Sequence, residues 1–212
     1  MPSQDLLDIG AEREPEGRKD HDFYETPAFQ TRALMARVPI RGYVLEPCAG
    51  RGAISRVFVK ERPYGSGPVI VNEPYQEHHW TLDDTTWSSV YGEDATQPGP
   101  WMCSWPMVDW VVTNPPFNLA HLIIPLAFQH AQVGIAFLLR ITWYEAAENR
   151  QEFLEAHPPD AIISLPRYKY RKDKEHGDSA TTAWFVWLKP GAGITVRNSA
   201  VTRAECKRLG AA

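Results

Sequence analysis

Apolar residues along this chain gather in short blocks, each closed by a turn signal or followed by a stretch with helical spacing. The blocks at Tyr43–Glu46, Val69–Asn72, Val108–Thr113, Gly134–Leu139, Ala161–Ser164 and Thr182–Leu188 predict strands, with another short one just before or within Val90–Asp94. Segments near Ala53–Glu61, Leu119–Gln129 and Tyr144–Ala156 predict helices between them. Ahead of the first strand, Pro27 opens a helix with Thr26 as its N-cap and Leu34, Met35 and Val38 on one face. Strand and helix alternate, so the expected fold is α/β: a mostly parallel, twisted, seven-stranded sheet with helices on both faces. Residues 161–165 and 181–188 have no helix between them, so the last strand is expected to run antiparallel. The gap from Thr96 to Pro106, with three prolines and two tryptophans, reads as an irregular loop. After Pro190 a strand signal near Ile194–Arg197 precedes a short basic helix.

Composition narrows the class. At 212 residues the chain can build one full core, and 43% hydrophobic with 23% charged residues is ordinary for a globular domain. Residues 1–20 are rich in Asp, Glu, Gly and Pro, too polar to offset their ordering entropy, and read as a disordered tail. The domain proper is expected over 21–190, with 191–212 as a carboxyl-terminal extension. No apolar run approaches membrane-spanning length and the amino terminus lacks a signal-peptide pattern. Cys48, Cys103 and Cys206 have neither disulfide nor metal spacing, which fits a reducing cytoplasm, and the sequence leaves monomer or homodimer open. A net charge of −4 is not the footprint of a protein that coats nucleic acid, so such contacts would need a local patch.

Chemistry collects where the strand blocks end, the edge at which open α/β sheets bind ligands. Asn114-Pro115-Pro116-Phe117 follows the block at Val108–Thr113. Two prolines fix the backbone and remove two N–H donors, leaving carbonyl acceptors. An Asn side-chain oxygen beside such a carbonyl suits an exocyclic amino group, and Phe117 offers a flat face for a planar ring. The bland alternative is a proline-rich turn with an aromatic plug.

A second strand block runs into Glu46-Pro47-Cys48-Ala49-Gly50-Arg51-Gly52, an acid followed by a Gly-x-Gly turn. Glycines at 50 and 52 allow close approach of a ligand and left-handed dihedrals. Glu46 would repel a pyrophosphate and attract a cationic or ammonium-bearing ligand, which points to S-adenosylmethionine over a dinucleotide. The block at Val69–Asn72 leads into Glu73, whose carboxylate can accept both ribose hydroxyls, with Asn72 as the neighbouring alternative.

In these motifs and their order the chain resembles the class I S-adenosylmethionine-dependent amino-methyltransferases, specifically the short adenine DNA methyltransferases of bacteriophages and bacteria. The resemblance runs from about Asp22 to Leu188. It rests on Phe23-Tyr24-Glu25-Thr26-Pro27, on Leu45–Gly52 and on Asn114–Phe117. Phe137–Arg140, His157–Asp160 and Ala183–Trp187 add to it. It implies a Rossmann-like fold, S-adenosylmethionine as cofactor and adenine in DNA as substrate. Tyr24, Thr26 and Pro27 would match the amino-terminal cofactor motif, and Asp94-Ala95 the motif that accepts the cofactor's adenine amino group. Asn114, Pro115, Pro116 and Phe117 would be the catalytic loop, with Asn114 also at the cofactor. Long restriction-type members append a target-recognition domain, for which the residues after Pro190 are too few, so a strict recognition site is not expected.

Arg167, Lys169, Arg171, Lys172 and Lys174 interleave with Tyr168 and Tyr170, a local basic patch suited to phosphates and bases, or a solvated loop. By register with the family, Tyr170 would help to hold a flipped base. Adjacent His78-His79 with Asp83-Asp84 supply no third ligand at metal spacing, and no metal site is expected. A protein-glutamine methyltransferase, an RNA adenine methyltransferase and a nucleic-acid-binding relative without catalysis are the other readings of these motifs.

Overall fold

The computed structural model describes residues 25–63, 66–75, 89–145, 147–168 and 181–211. The polar stretch 1–20, Tyr24, the His78-His79 and Asp83-Asp84 pairs, and Lys169, Tyr170, Arg171, Lys172 and Lys174 lie outside these residues.

The strand blocks become β1 (Val44–Glu46), β2 (Val69–Asn72), β3 (Ser89–Tyr91), β4 (Val108–Thr113), β5 (Ala131–Arg140), β6 (Ala161–Ser164) and β7 (Thr182–Leu188). The helices are α1 (Ala28–Met35), α2 (Ala53–Glu61), α3 (Ala120–His130) and α4 (Glu148–Ala156), with a short α5 (Arg203–Arg208) near the end. One sheet takes the order β3-β2-β1-β4-β5-β7-β6, extended at its edge by a two-residue β8 (Ser199–Ala200). Pairs among β1 to β5 are parallel, while β7 runs antiparallel between β5 and β6, as expected for the last long strand.

Period-two alternation explains why this sheet needs cover on both sides. Val44, Val69, Trp110, Ala136, Leu138, Trp184 and Val186 enter one core. Their neighbours Leu45, Ile70, Val111, Ile135, Phe137, Phe185 and Trp187 enter the other. Central strands buried on both faces read as near-continuous apolar runs, the pattern that made them legible.

Several local expectations fail. Thr26 is not the N-cap of α1: Pro27 holds that position with extended dihedrals and there is no side-chain cap bond. The gap after Thr96 is not wholly irregular, because Pro100–Ser104 forms a π-helical turn whose Trp101 donates Nε1–H to the Ala95 carbonyl. The tail strand forms at Ser199–Ala200, beyond the predicted Ile194–Arg197, whose apolar side chains pack on the core without pairing. Arg37 ties the tail to α1 by bonds to Ser199 Oγ and Glu205, and Arg32 by a 2.7 Å bond to the Leu209 carbonyl. Trp143, just after β5, is a buried core ring with Arg150 5.4 Å from its centroid. Among the described residues no helix is long and apolar enough to cross a membrane.

Strand order reverses at β1: the chain steps outward through β2 and β3, then returns to place β4 on β1's other side. Connections leaving β1 and β4 diverge there and open a crevice at the strands' carboxyl ends. Those two ends carry Glu46 and Asn114.

Candidate active site

The crevice is a cavity of about 430 Å³, within the range of small-ligand sites. Its walls bring together Thr26, the run Glu46–Gly50, Glu73, Asp94, Ala95 and the whole Asn114–Phe117 loop. Three proposed cofactor residues are not on its walls: Pro27 lines a neighbouring groove, Gly52 starts α2, and Asn72 is used elsewhere.

The glycine turn takes the conformation expected of it. Gly50 and Gly52 sit at φ 51° and 74°, the left-handed region that penalises a Cβ. Gly52 then leads into α2, whose first N–H groups need acceptors from outside the helix. Glu46, at the end of β1, supplies one. Its Oε2 accepts from the Ser55 backbone N–H at 2.9 Å and from the Ser55 hydroxyl. Burial pushes the Glu46 carboxyl up to about 8, against the downward pull of these two bonds. Glu46 is thus a buried acid on a cavity wall whose ionisation a neighbouring cation would favour.

Glu73 has a second task that its sequence did not announce. Its carboxylate accepts from Gly50 N at 2.7 Å and from Tyr75 N at 3.1 Å, so it braces the glycine turn while lining the cavity. Asn72, the neighbouring alternative for the ribose, makes its hydrogen bonds within the protein. Fully buried, it donates Nδ2–H to the Pro47 and Glu93 carbonyls and accepts from Glu93 N, clasping the turn to the β3 side. Asp94 Oδ1 accepts from the backbone and hydroxyl of Thr96, which orients this exposed acid at the rim. Burial and the nearby carboxylates push the Cys48 thiol far above its ordinary range, so it is no thiolate nucleophile.

Across the cavity stands the loop after β4. The Pro116 carbonyl accepts from Leu119 N at 2.9 Å, closing the turn into α3. Asn114 donates Nδ2–H to Thr26 Oγ1 at 3.0 Å across 88 residues of sequence. Arg140, at the carboxyl end of the adjacent β5, places its guanidinium carbon 5.3 Å from the Phe117 ring centroid. Sequence reading gave Arg140 no role. Its signals were its place at the end of the strand next to β4 and its inclusion in the Phe137–Arg140 stretch of the resemblance.

Of the proposed nucleic-acid residues, Arg167 is described and exposed after β6. No group of histidine, cysteine or acidic side chains among the described residues could hold a metal.

No protein-family model and no curated protein sequence matches this chain. Solved structures do. The modification subunit of a type I restriction enzyme from Vibrio vulnificus superposes with a TM-score of 0.62 at 12% identity, over 88% of this chain and 48% of that one. A type I restriction-modification methyltransferase subunit from Streptococcus thermophilus gives 0.59 at 12% identity, over 88% and 52%. A chain described as a class I S-adenosylmethionine-dependent methyltransferase from Listeria monocytogenes gives 0.58 at 10% identity, over 82% and 62%. The fold is that of the class I methyltransferases. This chain spans about half the length of the two restriction-system subunits.

Proposed function

We propose that this chain transfers a methyl group from S-adenosylmethionine to the exocyclic N6 amino group of adenine in DNA. One observation carries the reading: an acid-walled glycine turn and an Asn-Pro-Pro-Phe loop face each other in one cavity at the switch point.

The walls suit this cofactor. Four acidic side chains (Glu25, Glu46, Glu73, Asp94) and one arginine (Arg51) line the cavity; they oppose a pyrophosphate and favour a cation, whose arrival would ionise the protonated Glu46. Glu46 would face the ammonium side, Glu73 the ribose hydroxyls and Asp94 the adenine amino group, with Pro47, Cys48, Ala49, Gly50 and Ala95 as the surrounding surface. Bound there, S-adenosylmethionine supplies a methyl group on a sulfonium whose departure as a thioether needs no metal.

The chain's own residues handle the acceptor. An adenine amino nitrogen is a poor nucleophile because its lone pair is delocalised into the ring. Asn114 Oδ1 and the Pro115 carbonyl, each accepting one N–H, draw that nitrogen towards tetrahedral geometry and raise its electron density. Phe117 stacks on the base and is itself held by the Arg140 guanidinium. The proton leaves after attack, so no strong base is required. Orientation of this kind can contribute up to ~7–11 kcal/mol. Extruding the base from a duplex costs a few kcal/mol. Arg167 with Lys169, Arg171 and Lys172 would bind flanking phosphates, and Tyr170 the extruded base. The restriction-system neighbours support DNA as the acceptor class.

Incubation with radiolabelled S-adenosylmethionine and equal amounts of DNA, RNA and protein, followed by digestion, tests this. Label is expected in the DNA fraction. Label confined to RNA or to glutamine in protein would replace the reading with one of its two enzymatic rivals.

A further inference from the structure

We infer that Thr26 is a positioning residue that sets which end of the Asn114 carboxamide meets the target amine. The inference rests on the proposed function and extends it to a residue whose expected jobs were capping α1 and touching the cofactor.

An asparagine side chain is ambiguous by shape: its oxygen and NH2 are nearly the same size, and only hydrogen bonding decides which way the group is turned. For amine activation the choice is decisive. The oxygen must face the acceptor nitrogen, since an NH2 group there would repel the substrate's own N–H groups. In this structure Asn114 donates Nδ2–H to Thr26 Oγ1 at 3.0 Å. The carboxamide is planar, so holding Nδ2 on Thr26 turns Oδ1 away from Thr26. Both side chains line the cavity, and Thr26 is 5% exposed, so little water competes for the bond.

Thr26 can hold this position because it is not capping a helix. Pro27 takes the N-cap place, and Thr26 lies in the extended segment before it. The α1 helix is fastened in turn by Arg32 and Arg37 to the tail residues Leu209, Ser199 and Glu205. The hydroxyl accepts from Asn114 and still has its own proton to donate, so a contact to the cofactor is compatible with the orienting role.

Thr26→Val removes the acceptor at nearly constant shape, and Thr26→Ser restores it. The first arm reads the bond without any reaction. The Asn114 side-chain amide signals in 1H–15N spectra, assigned by their loss in Asn114→Ala, should shift and exchange faster in Thr26→Val and stay near wild type in Thr26→Ser. The second arm is single-turnover methyl transfer with saturating cofactor. Thr26→Val should lose on the order of a hundredfold, as a small misplacement of a reacting group does, and Thr26→Ser should return most of it. Cofactor affinity by calorimetry should change far less than turnover in both.

Unchanged amide signals in Thr26→Val would overturn the inference while leaving the proposed function intact. A loss of turnover matched by an equal loss of cofactor affinity would also overturn it, making Thr26 a cofactor contact only. A wild-type protein that methylates no acceptor while the amide arm behaves as expected would instead break the functional reading on which the inference stands.

Discussion

On the glycine-turn wall the backbone is held from within. Gly50 N is bound by Glu73, Ala49 N by the Asn72 carbonyl and Ser55 N by Glu46, so the chain's own hydrogen bonds brace that wall. Across the cavity, two prolines remove two of the four N–H groups of the Asn114–Phe117 loop, and side chains from elsewhere hold it: Thr26 on Asn114 and Arg140 on Phe117. In the proposed reaction the first wall is the binding surface, built by one stretch of chain and its neighbours, and the second is the acceptor surface, assembled from three distant segments. The difference teaches that affinity and chemistry should respond separately to mutation, although the two walls follow adjacent strands, β1 and β4.

The largest expected effect lies on the acceptor wall. Asn114→Ala should lower turnover on the order of 10²–10³-fold, comparable with removing one preorganised polar group from a transition-state site. Cofactor affinity by calorimetry should stay within a few-fold. A variant that turned over normally would remove Asn114 from the chemistry and erase the distinction between the walls.

On the binding wall, Asp94→Ala should weaken S-adenosylmethionine by about 1.5–3 kcal/mol through loss of a charge-assisted hydrogen bond. Saturating cofactor should restore its turnover, which it cannot do for Asn114→Ala. Unchanged affinity would take Asp94 out of the site.

Glu46 offers a smaller effect with a definite sign. Its carboxyl sits at about 8 in the folded chain against an ordinary 4.5. Between those values the folded chain holds a proton that the unfolded chain has released. Stability therefore falls as pH rises through this window and levels off above about 8. Glu46→Gln should flatten that part of the thermal stability profile. A cationic ligand selects the ionised form, so cofactor binding below this value should release a proton, and affinity should rise by up to about tenfold per pH unit. Calorimetry in buffers of different ionisation enthalpy reads the released proton, and its absence would separate Glu46 from the ligand.

The smallest effect is expected at Arg140. Arg140→Leu removes a cation–π contact worth about 0.5–2 kcal/mol, and should lower turnover several-fold with cofactor affinity unchanged. An effect on cofactor affinity alone would move Arg140 to the other wall.

The sequence made the binding wall legible because its signals are local: a strand, an acid and two glycines in left-handed conformation lie within one short run. The strands were legible for a related reason, since burial on both faces writes itself as continuous apolar blocks. What stayed hidden depends on contacts between distant residues. Thr26 was read as a cap from its place before Pro27, yet its hydroxyl serves Asn114, 88 residues away. Asn72 was read as a ligand contact from its place at a strand end, yet it spends its amide on Pro47 and Glu93. No periodicity marks the π-helical turn at Pro100–Ser104, which depends on its tryptophans docking into a core formed by other segments.

The central claim is that the two walls bring a bound methyl donor against an adenine amino group. Its most direct test is to incubate the wild-type protein with unmethylated duplex DNA and S-adenosylmethionine carrying a deuterated methyl group, then analyse the nucleosides by mass spectrometry. The account predicts deuterated N6-methyldeoxyadenosine in the wild-type reaction and on the order of a hundredfold less or lower with Asn114→Ala. Deuterium found only on another nucleoside, or in equal amount with both proteins, would contradict it.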